Sequence, residues 1–154
     1  FFLKKKDEGV LPITDKRMTR FNITLDEGVD LVLYALTHQW GGEIFVPKIP
    51  SYRIEDVAKA IAPEAELKYV GIRPGEKLHE EMITVTDALN SVEFEKYFVI
   101  LPSLPLWDVE KFIQTSSEKP GKHCEAGFSY NSGTNRVFLT VEELRSLIAN
   151  KMNA

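Results

Sequence analysis

The chain has 154 residues, 44% hydrophobic and 27% charged, with 23 acidic against 19 basic side chains and a formal charge of -4. This composition excludes a disordered chain, and the acidic balance excludes a general nucleic-acid surface, so an anionic ligand would need local charge. A single cysteine, Cys124, excludes a disulfide framework and a cysteine-rich zinc cluster; with no apolar run of the roughly 20 residues a membrane span needs and no signal peptide in view, a cytoplasmic setting is expected.

Phe1 to Glu8 reads as the last turns of a helix stopped by Gly9, as in the back part of a longer protein. Val10 to Thr14, interrupted by Pro12, predicts a short edge strand, and Met18 to Ile23 an extended or irregular stretch. Thr24 and Glu27 form a capping box, and Leu25, Val29, Val32, Leu33 and Leu36 recur at helical spacing up to Gly41-Gly42. Glu43 to Val46 predicts a strand; Ile54, Val57, Ala58 and Ile61 a helix ending before Pro63; Leu67 to Ile72 another strand. A turn at Arg73-Pro74-Gly75 then leads into a short helix around Lys77 to Met82, and Tyr97 to Leu101 is a β-branched and aromatic strand. Pro102 to about Gly127 lacks period and predicts a long surface loop. Thr140 and Glu143 cap a closing helix with Val141, Leu144, Leu147 and Ile148 on one face.

Strands alternating with helices predict an α/β domain. The expected organisation is one part over 1–154: a core over about 9–101, an irregular loop over about 102–127, and a late loop with terminal helix over about 128–150. No glycine-rich G-x-G-x-x-G or G-x-x-G-x-x-G turn occurs, so the nucleotide-cofactor half of a dinucleotide-binding fold is expected to be missing.

Arg73 would stand at the end of a strand. Pro74 biases it toward extended backbone, Gly75 permits close approach, and a following helix N-terminus would add unpaired amides, which together suit a phosphate. Pairing of Arg73 with Glu76 is the competing reading. Arg20 lies among apolar residues and must find a partner, either an internal acid such as Asp15 or Asp26 or, with Arg73, a diphosphate. Tyr130 to Asn135 is either a polar turn or a loop that closes on a sugar or base. His79 with Glu80 and Glu81 lacks metal-ligand spacing; no catalytic Ser-His-Asp order or Tyr-x-x-x-Lys pair is present, so neither a metal nor a catalytic residue is expected in this chain.

The runs GVLPITDKRMTRFNITLDEGV, GGEIFVPKIPS, GIRPGEKLHEEMI and FSYNSGTNRVFLTVEEL resemble, in order and over nearly the whole chain, the C-terminal part of the inverting UDP-N-acetylglucosamine 4,6-dehydratases. These belong to the polysaccharide-biosynthesis branch of the extended short-chain dehydrogenase/reductases and start pseudaminic acid synthesis in bacteria. The resemblance implies an α/β, C-terminal substrate-binding part of a Rossmann-fold enzyme, lacking the N-terminal half that binds NADP and carries the reacting groups. By the same resemblance, Arg20 and Arg73 clasp the diphosphate of a UDP-sugar, Val10 and Pro12 line the uridine side, and Ser132, Gly133, Thr134 and Asn135 reach back to the nucleotide. The partners it implies are the UDP-sugar, an NADP-binding N-terminal half and, in the complete enzyme, further copies in a homo-oligomer; neither nucleic acid nor membrane is among them. Two positions depart from the family pattern: Asn22 replaces an aromatic residue after TRF, and Tyr130-Asn131 replaces the usual serine at the entry to the late loop. A capsule-type UDP-sugar epimerase and a non-catalytic interaction module derived from such an enzyme are the alternatives.

Overall fold

The computed structural model describes the backbone of residues 1–153 and the side chains of residues 1–151. In chain order the elements are α1 (Phe2–Lys5), a 3-10 turn (Lys6–Glu8), β1 (Val10–Ile13), β2 (Thr19–Phe21), α2 (Leu25–His38), β3 (Ile44–Pro47), β4 (Ser51–Arg53) and α3 (Ile54–Ile61). There follow β5 (Glu66–Tyr69), β6 (Glu81–Ile83), α4 (Val85–Ala88), β7 (Ser91–Glu93), β8 (Tyr97–Ile100), α5 (Val109–Thr115), β9 (Lys122–His123), β10 (Tyr130–Asn131) and α6 (Val141–Asn153). They fall into two compact units, each assembled from segments distant in sequence.

The first unit takes Phe1–Asn22, Pro50–Glu80 and the chain from Ser132 onward. Gly9, at φ +73, ends the opening helical segment in the left-handed conformation that glycine adopts without strain. β1 then runs parallel to β5, with Leu11 opposite Leu67. Leu11 and Ile13 alternate inward and bury completely against Ala58 and Ala62 of the α3 region, with Ile54, Ile61 and Leu67 around them. β2 pairs antiparallel with β4, setting Arg20 opposite Tyr52. α6 packs beside α3, with Leu144 buried and Arg145 Nε 3.5 Å from the Ala60 carbonyl.

The second unit takes Ile23–Ile49 and Glu81–Asn131. Its centre is a four-stranded antiparallel sheet in the order β3-β8-β7-β9. Val92, Phe94, Tyr97, Val99 and Leu101 from the sheet region bury against Phe112 and Ile113 of α5. The Tyr34 hydroxyl of α2 meets that of Tyr97 at 2.9 Å, and β10 pairs antiparallel with β6.

The capping boxes at α2 and α6 form as the sequence predicts. Three expectations need correction, and one pattern whose packing the spacing left open is resolved. The strand expected over Leu67 to Ile72 closes at Tyr69. The expected helix around Lys77 to Met82 does not form, because its backbone is taken up elsewhere: the Leu78 carbonyl accepts from Thr19 N, Glu80 N donates to Ser132 Oγ, and Glu81–Ile83 joins a β-pair. Tertiary hydrogen bonds override a local preference of a few tenths of a kcal/mol per residue. The expected loop over 102–127 contains α5 and β9, and a seven-residue helix capped by Asp108 is too short to display a period in sequence. Finally, the apolar stripe of α2 is exposed at all five positions; the packed side of the helix is the one carrying Tyr34.

Candidate anion-binding site

Pro74 and Gly75 build a tight turn. Glu76 N donates to the Arg73 carbonyl at 3.0 Å, Pro74 occupies the first central position and Gly75, at φ +85, the second, as a type II turn requires. The Glu76 carboxylate accepts from Arg73 N at 3.1 Å and so braces the turn from inside. The Arg73 side chain is 79% exposed, its Nη1 4.0 Å from Glu76 Oε1, an ion pair too open to neutralise it. No helix follows, so the helix-terminus contribution expected at this turn is absent.

Arg20 is held differently. Its side chain is 24% exposed, Nη1 donates to the carbonyls of Thr19 at 2.6 Å and Leu78 at 3.4 Å, and Nε lies 3.4 Å from Glu80 Oε1. Neither acid considered from the sequence is its partner. Asp15 instead receives Arg17, at 2.9 Å from Nε and 2.8 Å from Nη2; those bonds and the Arg17 amide hold its carboxyl down at about 2. Across the strand pair, burial pushes the Tyr52 phenol up, and the Arg20 charge offsets part of that shift, so the phenol stays protonated at neutral pH.

The late loop enters the same place. Ser132 is fully buried; its Oγ accepts from Glu80 N at 2.8 Å and sits 2.7 Å from Thr19 Oγ1, which is itself 2.8 Å from His79 Nδ1. Ser132 N donates to the Glu80 carbonyl at 2.8 Å. Gly133 carries no side chain for a steric reason: a Cβ there would stand 2.5 Å from His79 Nδ1. Asn135 Nδ2 donates to Ser51 Oγ at 3.0 Å, and Ser51 pairs with Phe21 in the β2–β4 ladder.

Of the residues singled out in sequence, Arg20, Ser132, Gly133 and Asn135 therefore meet through one set of contacts, with Thr134 between them in the chain. Val10 and Pro12 lie instead on β1, opposite Glu66 and Lys68, and Arg73 stands on its own turn. Sequence reading missed Thr19, Ser51 and the part played by His79 and Glu80. The signal for His79 was its place directly after the turn motif, where a histidine unsuited to metal binding still needs a hydrogen-bond partner.

Arg20 is a pinned guanidinium, held by the Thr19 and Leu78 carbonyls and paired with Glu80, and Arg73 an exposed one on its own turn. The one thiol, Cys124, is pushed up to about 11, chiefly by burial and then by Glu93, so it stays protonated. α3 follows β4 directly and α2 follows β2 through Asn22-Ile23-Thr24, so neither connection carries the glycine turn that admits a dinucleotide pyrophosphate. Among the described residues no group of three His, Cys, Asp or Glu side chains is placed to hold a metal ion, and no helix is long and apolar enough to cross a membrane.

The polysaccharide biosynthesis protein family model matches residues 1–102. The chain is 46% identical over 151 residues to the UDP-N-acetylglucosamine 4,6-dehydratase (inverting) of Campylobacter jejuni subsp. jejuni, covering 96% of this chain and 45% of that protein. It is 34% identical over 155 residues to the UDP-glucose 4-epimerase of Rickettsia felis, covering 97% of this chain and 44% of the epimerase. Among solved structures, the X-ray structure of Pen from Bacillus thuringiensis superposes with a TM-score of 0.75 at 28% identity, over 99% of this chain and 45% of that one. The chain thus spans just under half the length of the curated relatives it matches, corresponding to their C-terminal part, and its mixed α/β fold is the class expected from sequence. It belongs to the polysaccharide biosynthesis protein family.

Proposed function

We propose that this chain is the substrate-holding part of a UDP-N-acetylglucosamine 4,6-dehydratase in bacterial nucleotide-sugar and surface-glycan biosynthesis, on the route to pseudaminic acid. In this reading an NADP-binding N-terminal half supplies the chemistry of the cytoplasmic, homo-oligomeric enzyme: oxidation at C4, loss of water across C5 and C6, and hydride return to C6 with inversion at C5. This chain contributes the grip. Arg20 and Arg73 hold the diphosphate, Val10 and Pro12 border the uridine, and Ser132 to Asn135 close over the nucleotide.

The observation that carries the reading is the joining of Arg20 to the loop at Ser132 through Glu80 and Thr19, in a chain 46% identical to a named dehydratase. An arginine tied to carbonyl oxygens keeps its charge and is already oriented, which lowers the ordering cost of binding an anion. UDP-sugar epimerisation is the second reading, favoured by the 34% identity to the Rickettsia felis epimerase over nearly the whole chain.

Thermal unfolding with and without UDP tests the grip. Saturation at a hundred times the dissociation constant adds about 2.7 kcal/mol, or roughly 5–10 °C in Tm for a chain of this size. Arg20→Ala should abolish the shift and Arg73→Ala should reduce it. No shift in the parent chain, or shifts unaffected by both substitutions, refutes nucleotide binding and leaves the non-catalytic module. If UDP binds, mixing the chain with the N-terminal half of the Campylobacter jejuni relative and UDP-N-acetylglucosamine should give a 4-keto-6-deoxy product; a C4 epimer would select the second reading.

A further inference from the structure

The polar contacts behind Arg20 have a direction that follows from counting protons. Ser132 Oγ accepts the Glu80 N–H at 2.8 Å, so its own hydrogen must go to its other partner, Thr19 Oγ1, at 2.7 Å. Thr19 Oγ1, now an acceptor from Ser132, passes its hydrogen to the atom 2.8 Å away, His79 Nδ1. Every donor in this chain of bonds is then used. Reversed, with Nδ1 protonated and donating to Thr19, one of the two hydroxyl hydrogens, that of Ser132 or that of Thr19, would have no acceptor among these atoms, and both side chains are buried.

We infer that His79 is a positioning residue of this site: a neutral imidazole, protonated on Nε2, whose Nδ1 anchors the Thr19–Ser132 hydroxyl pair and thereby fixes the Ser132–Asn135 loop beside Arg20. The ring meets this loop in a second, steric way, since the place where a Cβ of Gly133 would stand is 2.5 to 2.7 Å from three of its ring atoms. The loop at 132–133 is thus set against the ring by contact and against Glu80 by paired backbone and hydroxyl bonds. Thr19 in turn binds the Leu78 carbonyl through its amide, and its own carbonyl holds Arg20 Nη1, so the ring that orders the loop also orders the strand bearing the guanidinium. His79 touches no substrate in this account. It rests on the nucleotide-binding reading for its functional consequence, though not for the wiring itself.

The test uses the full chain. Nitrogen-15 spectra of the imidazole at neutral pH should show Nδ1 as the unprotonated, acceptor nitrogen and Nε2 as the protonated one. His79→Ala should weaken UDP binding, read by calorimetry, by about tenfold, the scale of one well-placed hydrogen bond. His79→Asn, whose Oδ1 stands where Nδ1 stood and accepts from Thr19, should restore most of it, whereas His79→Gln, which places its acceptor too far out, should not. That rescue pattern separates positioning from a general loss of stability. A protonated Nδ1, unchanged binding in His79→Ala, or an Asn variant as poor as the Ala variant overturns the inference. Should the parent chain bind no UDP, the nucleotide reading fails on its own. The wiring is then judged by the tautomer and by amide exchange: faster exchange at 132–135 in His79→Ala but not His79→Asn sustains it, and equal exchange in the two overturns it.

Discussion

A methyl group added to Gly133 would stand 2.5 Å from His79 Nδ1 and 2.7 Å from two ring carbons, closer than van der Waals contact allows. The ring cannot retreat without losing the Thr19 hydroxyl, and the loop cannot lift without breaking the Ser132 bonds to Glu80. Gly133→Ala should therefore destabilise the chain by about 1–3 kcal/mol, measured by urea unfolding, and widen the loop at the same time. A wild-type midpoint in that variant would mean that the ring and the loop separate freely. Cys124 offers a check at the same scale: its raised pKa predicts that iodoacetamide at pH 8 labels the folded chain far more slowly than a free thiol, and that unfolding removes the difference. At this scale the sequence is informative where chemistry is local. The Pro-Gly turn after Arg73 follows from two residues, and an arginine among apolar neighbours announces that Arg20 needs a partner. Which acid serves it was not legible, because Asp15 and Asp26 are near in sequence while Glu80 is near only after β2 and the segment from Leu78 to Glu80 have come together.

The elements that sequence placed well are those whose ends are fixed by their own side chains. Thr24 and Glu27 satisfy each other's backbone amides at the start of α2, as do Thr140 and Glu143 at α6. Thr24→Ala should cost about 1 kcal/mol of stability in denaturant unfolding. The bonds from Thr24 and Thr140 to Glu27 and Glu143, backbone amide first and hydroxyl second, hold both carboxyls below the ordinary glutamate value. Because the folded pKa is depressed, this contribution is complete above the unfolded-state pKa and is lost as pH falls through the lower folded value. Far-UV circular dichroism should show helix loss across that acid window, and Glu27→Gln should flatten the part due to α2. The periodic stripe of the same helix teaches the opposite lesson. Leu25, Val29, Val32, Leu33 and Leu36 have core spacing, yet all five are exposed, so periodicity identified the helix without identifying what its apolar side meets. Leu33→Gln should accordingly leave the unfolding midpoint nearly unchanged, whereas Phe112→Ala, in the buried cluster of the sheet, should cost about 3–5 kcal/mol. The short segments were illegible for a related reason: β2, β4, β6 and β10 hold two or three residues each and exist through their partners, not through any pattern of their own.

The segments of the two compact units alternate along the sequence, and the first unit depends on residues at opposite ends of it. Ser51, fully buried on β4, shows how. Its amide donates to the Val137 carbonyl at 2.9 Å, its carbonyl accepts from Leu139 N at 2.8 Å, and its hydroxyl receives Asn135. Beyond this segment α6 lays the buried Leu144 in the same unit, beside α3. The late part of the chain is therefore a structural wall of the first unit as well as the carrier of the Ser132–Asn135 loop, and sequence order alone, which sets it after a long intervening stretch, gives no sign of that. A chain ending at Asn131 should lose hydrogen-exchange protection at the β4 and α3 amides and, with it, the burial of Ala58 beneath Leu11 and Ile13. Leu144→Ala, which keeps the segment and removes only its apolar anchor, should weaken protection at the same amides by about 2–5 kcal/mol. Retained protection in the shortened chain would instead mean that β1, β5 and α3 hold this unit unaided. In that case the loop could be cut away without loss of fold, and its effect on UDP binding measured separately.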